Sequence, residues 1–233
     1  MKKPVKLIIG AVVLVSLAIG VQQGLKYYLQ GPKRAFNALL ISGDLENVNK
    51  AKDIYKDNTE YTKDYKYKTV VNSKKTKDEN GKEIVYEEKF LVLNKDTAKE
   101  MLKDQVIRVK KDQNPESGNI QTNVLEEIKD IDTDKNIFLG DRRTNENIQI
   151  NGKKIDLEQD KQFWVGYYPD DDGYIMIVDD NTYNSIQGEE KTIGLIKFNK
   201  GTKDLRNAKE KNEPKEKLSG IENIEIDYAN TKK

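Results

Sequence analysis

"NIQINGKKIDL", residues 147–157, sets two alternating apolar runs on either side of Asn151-Gly152. Asparagine and glycine both accept positive φ, which a two-residue type I′ turn requires, and the twist of that turn matches the strands it joins. Ile148 and Ile150 alternate on the first run, Ile155 and Leu157 on the second, so the stretch predicts a hairpin with one apolar face. A tight antiparallel hairpin makes sheet the basis of the fold.

The same signals continue outward. Upstream, "NIFLG" (136–140) reads as a strand. Downstream, "KQFWVGYY" (161–168) and "GYIMIVDD" (173–180) read as two strands, with Pro169-Asp170-Asp171-Asp172-Gly173 as the hairpin loop between them. "DDNTYNSIQG" (179–188) predicts a short helix capped by Asp179 or Asp180 and stopped by Gly188. "KTIGLIKFN" (191–199) is a further strand.

This order, from about residue 136 to 199, resembles the extracytoplasmic domain of FtsX-like and MacB-like ABC-transporter permeases. The matching residues are Gly140, Asn151, Gly152, Asp180 and Tyr183. The resemblance implies an exported domain that binds a partner. The chain departs from it in having one candidate membrane span where a permease has several. The overall layout is also similar to small anchored proteins and lipoproteins of low-GC Gram-positive bacteria. Here too it departs, because Val21 stands after "LAIG" where a lipoprotein carries cysteine.

In the N-terminal half, "FNALLIS" (36–42) predicts a buried strand. Ser42 or Asp44 then caps a helix whose apolar side carries Leu45, Val48, Ala51 and Tyr55. "YTKDYKYKTVV" (61–71) and "KEIVYEEKFLVLN" (82–94) form a second hairpin across "SKKTKDENG". "NKDTAKEMLKDQ" (94–105) is a short helix capped by Asp96, and "VIRVKK" (106–111) a strand. Near the end, "KGTKDLRNAKEKNEPKEK" (200–217) is a charged helix broken at Pro214, followed by the strand or edge "IENIEIDYA" (221–229). The fold class is α+β: short strands in mixed or antiparallel sheets, few short helices, preceded by one N-terminal transmembrane helix. Residues 1–31 form the membrane segment, and residues 32–233 form one domain or two subdomains, 33–118 and 119–233.

Lys2, Lys3 and Lys6 precede an uncharged stretch from Leu7 to Leu25. Its length approaches the roughly 20 residues that cross a bilayer core. An uncleaved anchor and a cleaved signal peptide share this pattern. With an anchor, the chain partners the membrane through residues 7–25 and carries its C-terminal domain outside. Ser16, Gly20 and Gly24 recur every four residues, a small-residue stripe along which membrane helices pack, or the ordinary Gly and Ser content of a span.

Residues 1–34 hold six of the 41 basic side chains and no acid, which leaves 35 basic against 40 acidic residues beyond them. Those charges alternate, so there is no basic face for nucleic acid. With neither cysteine nor histidine, the chain lacks disulfides, thiol nucleophiles, Ser-His catalysis and the usual zinc and haem ligands. No cofactor is expected, and no nucleophile elbow or phosphate loop is present.

Three groups of residues are candidates for a site. "DIDTDKNIFLGD" (130–141) places Asp130, Asp132, Asp134 and Asp141 in the rhythm of a calcium loop. Lys135 occupies the place where such a loop turns on glycine, and the competing reading is a solvated acidic turn feeding a strand. "TNVLEEIK" (122–129) would be the entering helix of such a site. In "FWVGYY", Trp164 and Tyr168 share one strand face and form an exposed platform for a peptide, glycan or protein partner, or else the strand is buried on both sides; Tyr167, on the other face with Phe163 and Val165, is a further candidate binding residue. Tyr183 joins the candidate binding residues. Tyr61, Tyr65, Tyr67 and Tyr86, alternating with lysines, either face a partner or mark a half-exposed strand. The expected function is a membrane-anchored, extracellular, non-catalytic module binding a protein or peptide at the cell envelope, as an accessory or sensor beside a transporter. The alternatives are an exported cell-envelope hydrolase and a calcium-stabilised surface protein.

Overall fold

The computed structural model describes residues 36–77, 79–110, 122–140, 148–160, 163–166, 173–200 and 208–231. The segment 7–25, with Ser16, Gly20 and Gly24, lies outside them, and no described helix is long and apolar enough to cross a membrane. The first half runs β1 (Ala38–Gly43), α1 (Leu45–Tyr55), a 3-10 turn, β2 (Thr59–Lys77), β3 (Glu83–Asn94), α2 (Lys95–Lys103), β4 (Ile107–Lys110) and β5 (Thr122–Val124). There follow β6 (Asn136–Leu139), β7 (Ile148–Ile150), β8 (Lys153–Ile155), β9 (Leu157–Asp160) and β10 (Phe163–Val165). The chain closes with β11 (Gly173–Val178), α3 (Asp180–Ser185), β12 (Glu189–Phe198), α4 (Ala208–Lys217) and β13 (Glu225–Ala229). The fold is α+β, as expected.

Eight strands form one mixed sheet in the order β13-β1-β12-β2-β3-β11-β6-β9, parallel at β3–β11 and β6–β9 and antiparallel elsewhere. Strands from both sides of residue 118 are interleaved within it. Both faces are covered, so the central strands are apolar on both sides. In β1, Ala38 and Leu40 enter the core beneath α2 and the small sheet β10-β4-β5, while Leu39 and Ile41 enter the core beneath α1. In β11, Ile175 and Ile177 face the first of these cores, and Met176 and Val178 face a third, covered by the β7–β8 hairpin and α3. Helix α1 buries Val48, Ala51 and Tyr55 at helical spacing, and it sits so close to β12 that a Cβ on Gly194 would lie 2.4 Å from Val48 Cγ1.

The turn chemistry of the opening stretch holds. Asn151 and Gly152 have φ of 51° and 76°, and Ile148 pairs with Ile155. The hairpin stands apart from the main sheet, and Leu157 begins a separate strand that joins β6.

Other expectations are corrected. β10 and β11 do not form a hairpin: β10 pairs with β4, and β11 with β3 and β6, because each finds its apolar face matched elsewhere. "TNVLEEIK" is a three-residue strand and an irregular stretch, not a helix. Asn94, not Asp96, caps α2, accepting from Thr97 N at 2.9 Å. Helix α3 ends at Ser185, and Lys68 Nζ receives its terminus by donating to the carbonyls of Tyr183 and Ile186 at 2.8 and 2.9 Å. Asp179 is its cap, accepting from Thr182 N at 3.0 Å. Pro214 lies inside α4 and does not break it. The strands of the second hairpin also run on through "SKKTK", to Lys77 opposite Glu83.

The sheet gives the molecule a polarity. Ala38 pairs with Lys197 and Ala229, and Lys197 with Tyr61, so β1 and β13 place both chain ends at the start of β2. Asn37 and Thr231 tie those ends together, with Asn37 Oδ1 accepting from Thr231 N at 2.9 Å and Asn37 Nδ2 donating to Thr231 O at 2.8 Å. β2 then runs from Tyr61 to Lys77, roughly 50 Å at strand rise, toward the opposite end.

Candidate functional site

Among the described residues, β12 accompanies β2 only as far as Thr69, and β11 joins β3 only from Lys89 onward. Between these limits β2 and β3 continue as a two-stranded arm, paired with each other from Val71–Lys89 to Lys77–Glu83. Its base is packed: Val70 and Phe90 lie in the core under the β7–β8 hairpin, and the Asn72 amide donates to Gln149 O. Glu88, opposite Asn72, is buried as well, while the apolar side chains of the arm lie at the surface. Val71, Ile84 and Val85 are 47, 43 and 62 % exposed. Val71, Ser73, Lys75 and Lys77 share one face with Glu83, Val85 and Glu87, as the alternation of a strand requires.

The arm is electrically divided. Residues 71–77 carry three lysines and no acid, and residues 83–89 carry three glutamates, of which Glu88 is buried, and Lys89 at the base of the arm. Lys75 Nζ stands 3.8 Å from Glu83 across the pair, with both side chains well exposed. A ribbon with exposed apolar side chains and two edges that no described strand covers is built to contact another chain.

The residues expected to form a binding platform lie elsewhere. Trp164 is 5 % exposed and lies cross-strand from Arg108, itself buried with its guanidinium donating to Thr122. An exposed platform at Trp164 is therefore corrected to a strand covered on both sides, with Phe163 in the core on the other face. Tyr167 and Tyr168 lie outside the described residues. Tyr183 is buried, its ring 4.7 Å beneath Lys68 Nζ, and burial raises its hydroxyl above the ordinary tyrosine value. It locks α3 to the sheet. Tyr65 and Tyr67 are core residues as well.

The acidic stretch is a turn. Asp130 has φ of 61°, and Thr133 donates to its carbonyl through both N (3.0 Å) and hydroxyl (2.8 Å). Its carboxylates are met by lysines: Lys99 stands 2.7 Å from Asp132, and Lys135 stands 3.9 Å from Asp130 and 2.7 Å from Glu158. Asp141 lies outside the described residues, among which no three acidic side chains converge on one point that would hold a metal.

Sequence reasoning missed the arm. The signal for it was the persistence of strand alternation through "SKKTK" and "EIVYE", longer than a hairpin packed along its whole length needs.

These features define an α+β module with a projecting two-stranded arm. A family model described as an uncharacterised lipoprotein family matches residues 36–229, and the chain belongs to that family. A solved structure from Bacillus anthracis, of a protein assigned to the lipoproteins, has a TM-score of 0.61 and 24 % identity. It covers 84 % of this chain and 99 % of its own, and at that identity the likeness is one of fold. No curated protein matches. The chain itself has no cysteine, the residue on which lipoproteins carry their lipid.

Proposed function

We propose that this chain is a membrane-held, extracellular, non-catalytic module whose β2–β3 arm docks a protein partner at the cell envelope. The observation that carries the reading is the exposure of Val71, Ile84 and Val85 on a ribbon that extends past the described parts of both neighbouring strands. Membership of a lipoprotein family supports a place at the membrane. With no cysteine for lipid, the uncharged segment 7–25 serves as a single-pass anchor instead. Both described chain ends then face the membrane, and the arm points away from it. A role beside an envelope transporter rests on the likeness of residues 136–199 to permease ectodomains.

The test is a photo-crosslinking amino acid placed at Val85 in the full chain, in intact cells, with Ile54 as the control. Ile54 is exposed too, on α1, away from the arm. Discrete adducts at Val85 and none at Ile54 are expected. Equal labelling at the two sites, or none at Val85, overturns the reading.

A further inference from the structure

We infer that the arm takes its partner by strand addition: an extended peptide segment, acidic at alternate positions, pairs antiparallel with the outer edge of β2 from Val71 to Lys77. The inference rests on the docking role of the arm and names the mode of capture and the chemistry of the captured segment.

The main chain decides which groups are on offer. β2 keeps unbroken register with β3 from Lys68 to Lys77, so its residues alternate regularly between the two sides. Thr69 lies opposite Glu189, and a Cβ on Gly188 would fall 2.8 Å from Thr69 O, which puts that carbonyl on the β12 side. In an antiparallel ladder the N–H and C=O of one residue point to the same side, and those of the next point away. Val71, Ser73, Lys75 and Lys77 therefore present theirs where β12 would have continued. Val71 to Lys77 spans about 20 Å at strand rise, and no described strand lies beside it. Unpaired groups at that spacing are a template for another strand.

The neighbouring elements leave the lane free. The chain that leads into β12 departs at Gly188 toward α3, whose Tyr183 and the following Ile186 enter the core under the β7–β8 hairpin. On the far side of β12, β1 ends with Gly43 opposite Thr192, three residues short of Glu189. A slender segment therefore extends the sheet past Glu189 without meeting any described strand.

Side chains then select the segment. The four residues whose main chains face the lane carry their side chains on one face, and all four are exposed. Two of them are lysines and Val71 is apolar. The glutamates of that face, Glu83 and Glu87, lie on β3, across β2 from the lane. A strand in the lane meets the lysines first, so acidic side chains opposite Lys75 and Lys77 are favoured and basic ones repelled. An antiparallel segment reaches Lys77 first. From its N-terminal end it reads acidic, acidic, small and apolar at alternate positions.

The probe is a fluorescent peptide, ETETTTV, titrated onto the full chain in detergent micelles. Its first, third, fifth and seventh residues stand opposite Lys77, Lys75, Ser73 and Val71. It is expected to bind about tenfold more tightly than KTKTTTV, the discrimination that a few charge contacts impose. Ser73→Pro removes an outward N–H at an edge position that accepts proline, and is expected to abolish binding while the melting temperature holds. Ser73→Ala keeps the N–H and should bind as the native chain does. Lys75→Glu with Lys77→Glu should reverse the preference between the two peptides, whether or not Ser73→Pro folds. In the free chain, the amides of Val71, Ser73, Lys75 and Lys77 should exchange with solvent faster than those of Asn72, Lys74 and Thr76. Equal protection of the two sets means that the chain fills the lane itself, and overturns the inference. Equal affinity for the two peptides, no binding, or undiminished binding to a folded Ser73→Pro chain also overturns it. If the peptide fails while Val85 still crosslinks to a protein, the docking role stands by another contact; if Val85 gives no adduct, both fall.

Discussion

The carboxylate of Asp104 accepts the hydroxyl of Tyr65 at 2.7 Å and the ammonium of Lys63 at 2.6 Å, all on one face of β2. Asp104 lies just past the end of α2 and is buried, so this cluster fastens the helix terminus to the longest strand of the sheet. Tyr65→Phe removes a hydrogen bond to a charged group, and a loss of about 1.5–3 kcal/mol is expected. Asp104→Ala strands the tyrosine hydroxyl as well and should cost more. Urea unfolding of the two variants gives the comparison, and equal costs would argue against a shared acceptor.

Stability should form a plateau bounded at both ends. Burial, with Glu225 nearby, pushes the Tyr67 hydroxyl up to about 12 from 10.0, and burial also raises Tyr55 and Tyr65. Lys63 is raised by its hydrogen bond to Asp104. A raised folded-state value means that the folded protein holds a proton the unfolded chain releases. Their contribution is therefore complete below pH 10 and lost as pH climbs through the folded values. The Thr182 hydroxyl lowers Asp179 below 3.8, so its contribution is present above that pH and fades as the medium acidifies further. With no histidine, the midpoint of urea unfolding should be flat from about pH 5 to 9.

Gly166 is intolerant of a side chain for two separate reasons. Its φ is +86°, and an added Cβ would fall 2.0 Å from Asp227 Oδ2, where β10 meets β13. Gly166→Ala should destabilise by about 2–4 kcal/mol, combining backbone strain with overpacking. In a double-mutant cycle with Asp227→Ala, the steric share should disappear and the backbone share, about 1–2 kcal/mol, should remain.

Asn151 turns the β7–β8 hairpin at φ 51° and also accepts from Gln187 N at 2.9 Å, binding the turn to the end of α3. Asn151→Ala loses both functions, at about 1.5–3 kcal/mol. Asn151→Gly recovers the backbone freedom and should cost only the hydrogen bond, about 0.5–1.5 kcal/mol. Thermal unfolding that ranks the two variants equally would place the whole effect in the side chain.

Changes on the arm should separate stability from binding. Val85→Asp alters an exposed side chain with no core beneath it, and its effect on unfolding should stay within about 0.5 kcal/mol. Its effect on crosslinking along the arm should be a clear loss.

Much of this protein was written locally. Asn151-Gly152 specified its turn because positive φ is a property of those two residues, and spacing marked Val48, Ala51 and Tyr55 as the buried side of α1, although Leu45, expected with them, stays exposed at the start of the helix. Tertiary structure decided what depends on neighbours far away in the chain. "FWVGYY" and "GYIMIVDD" look like hairpin partners because they are adjacent, yet their apolar faces are matched by β4, β3 and β6. Trp164 is buried, though nothing in its own strand distinguishes it from an exposed aromatic. The arm stands out because, among the described residues, β12 and β11 pair with β2 and β3 only up to Thr69 and Lys89 while β2 and β3 continue. Alternation tells a strand which residues share a face, but only the strands packed beside it determine whether that face and its edges meet protein or solvent.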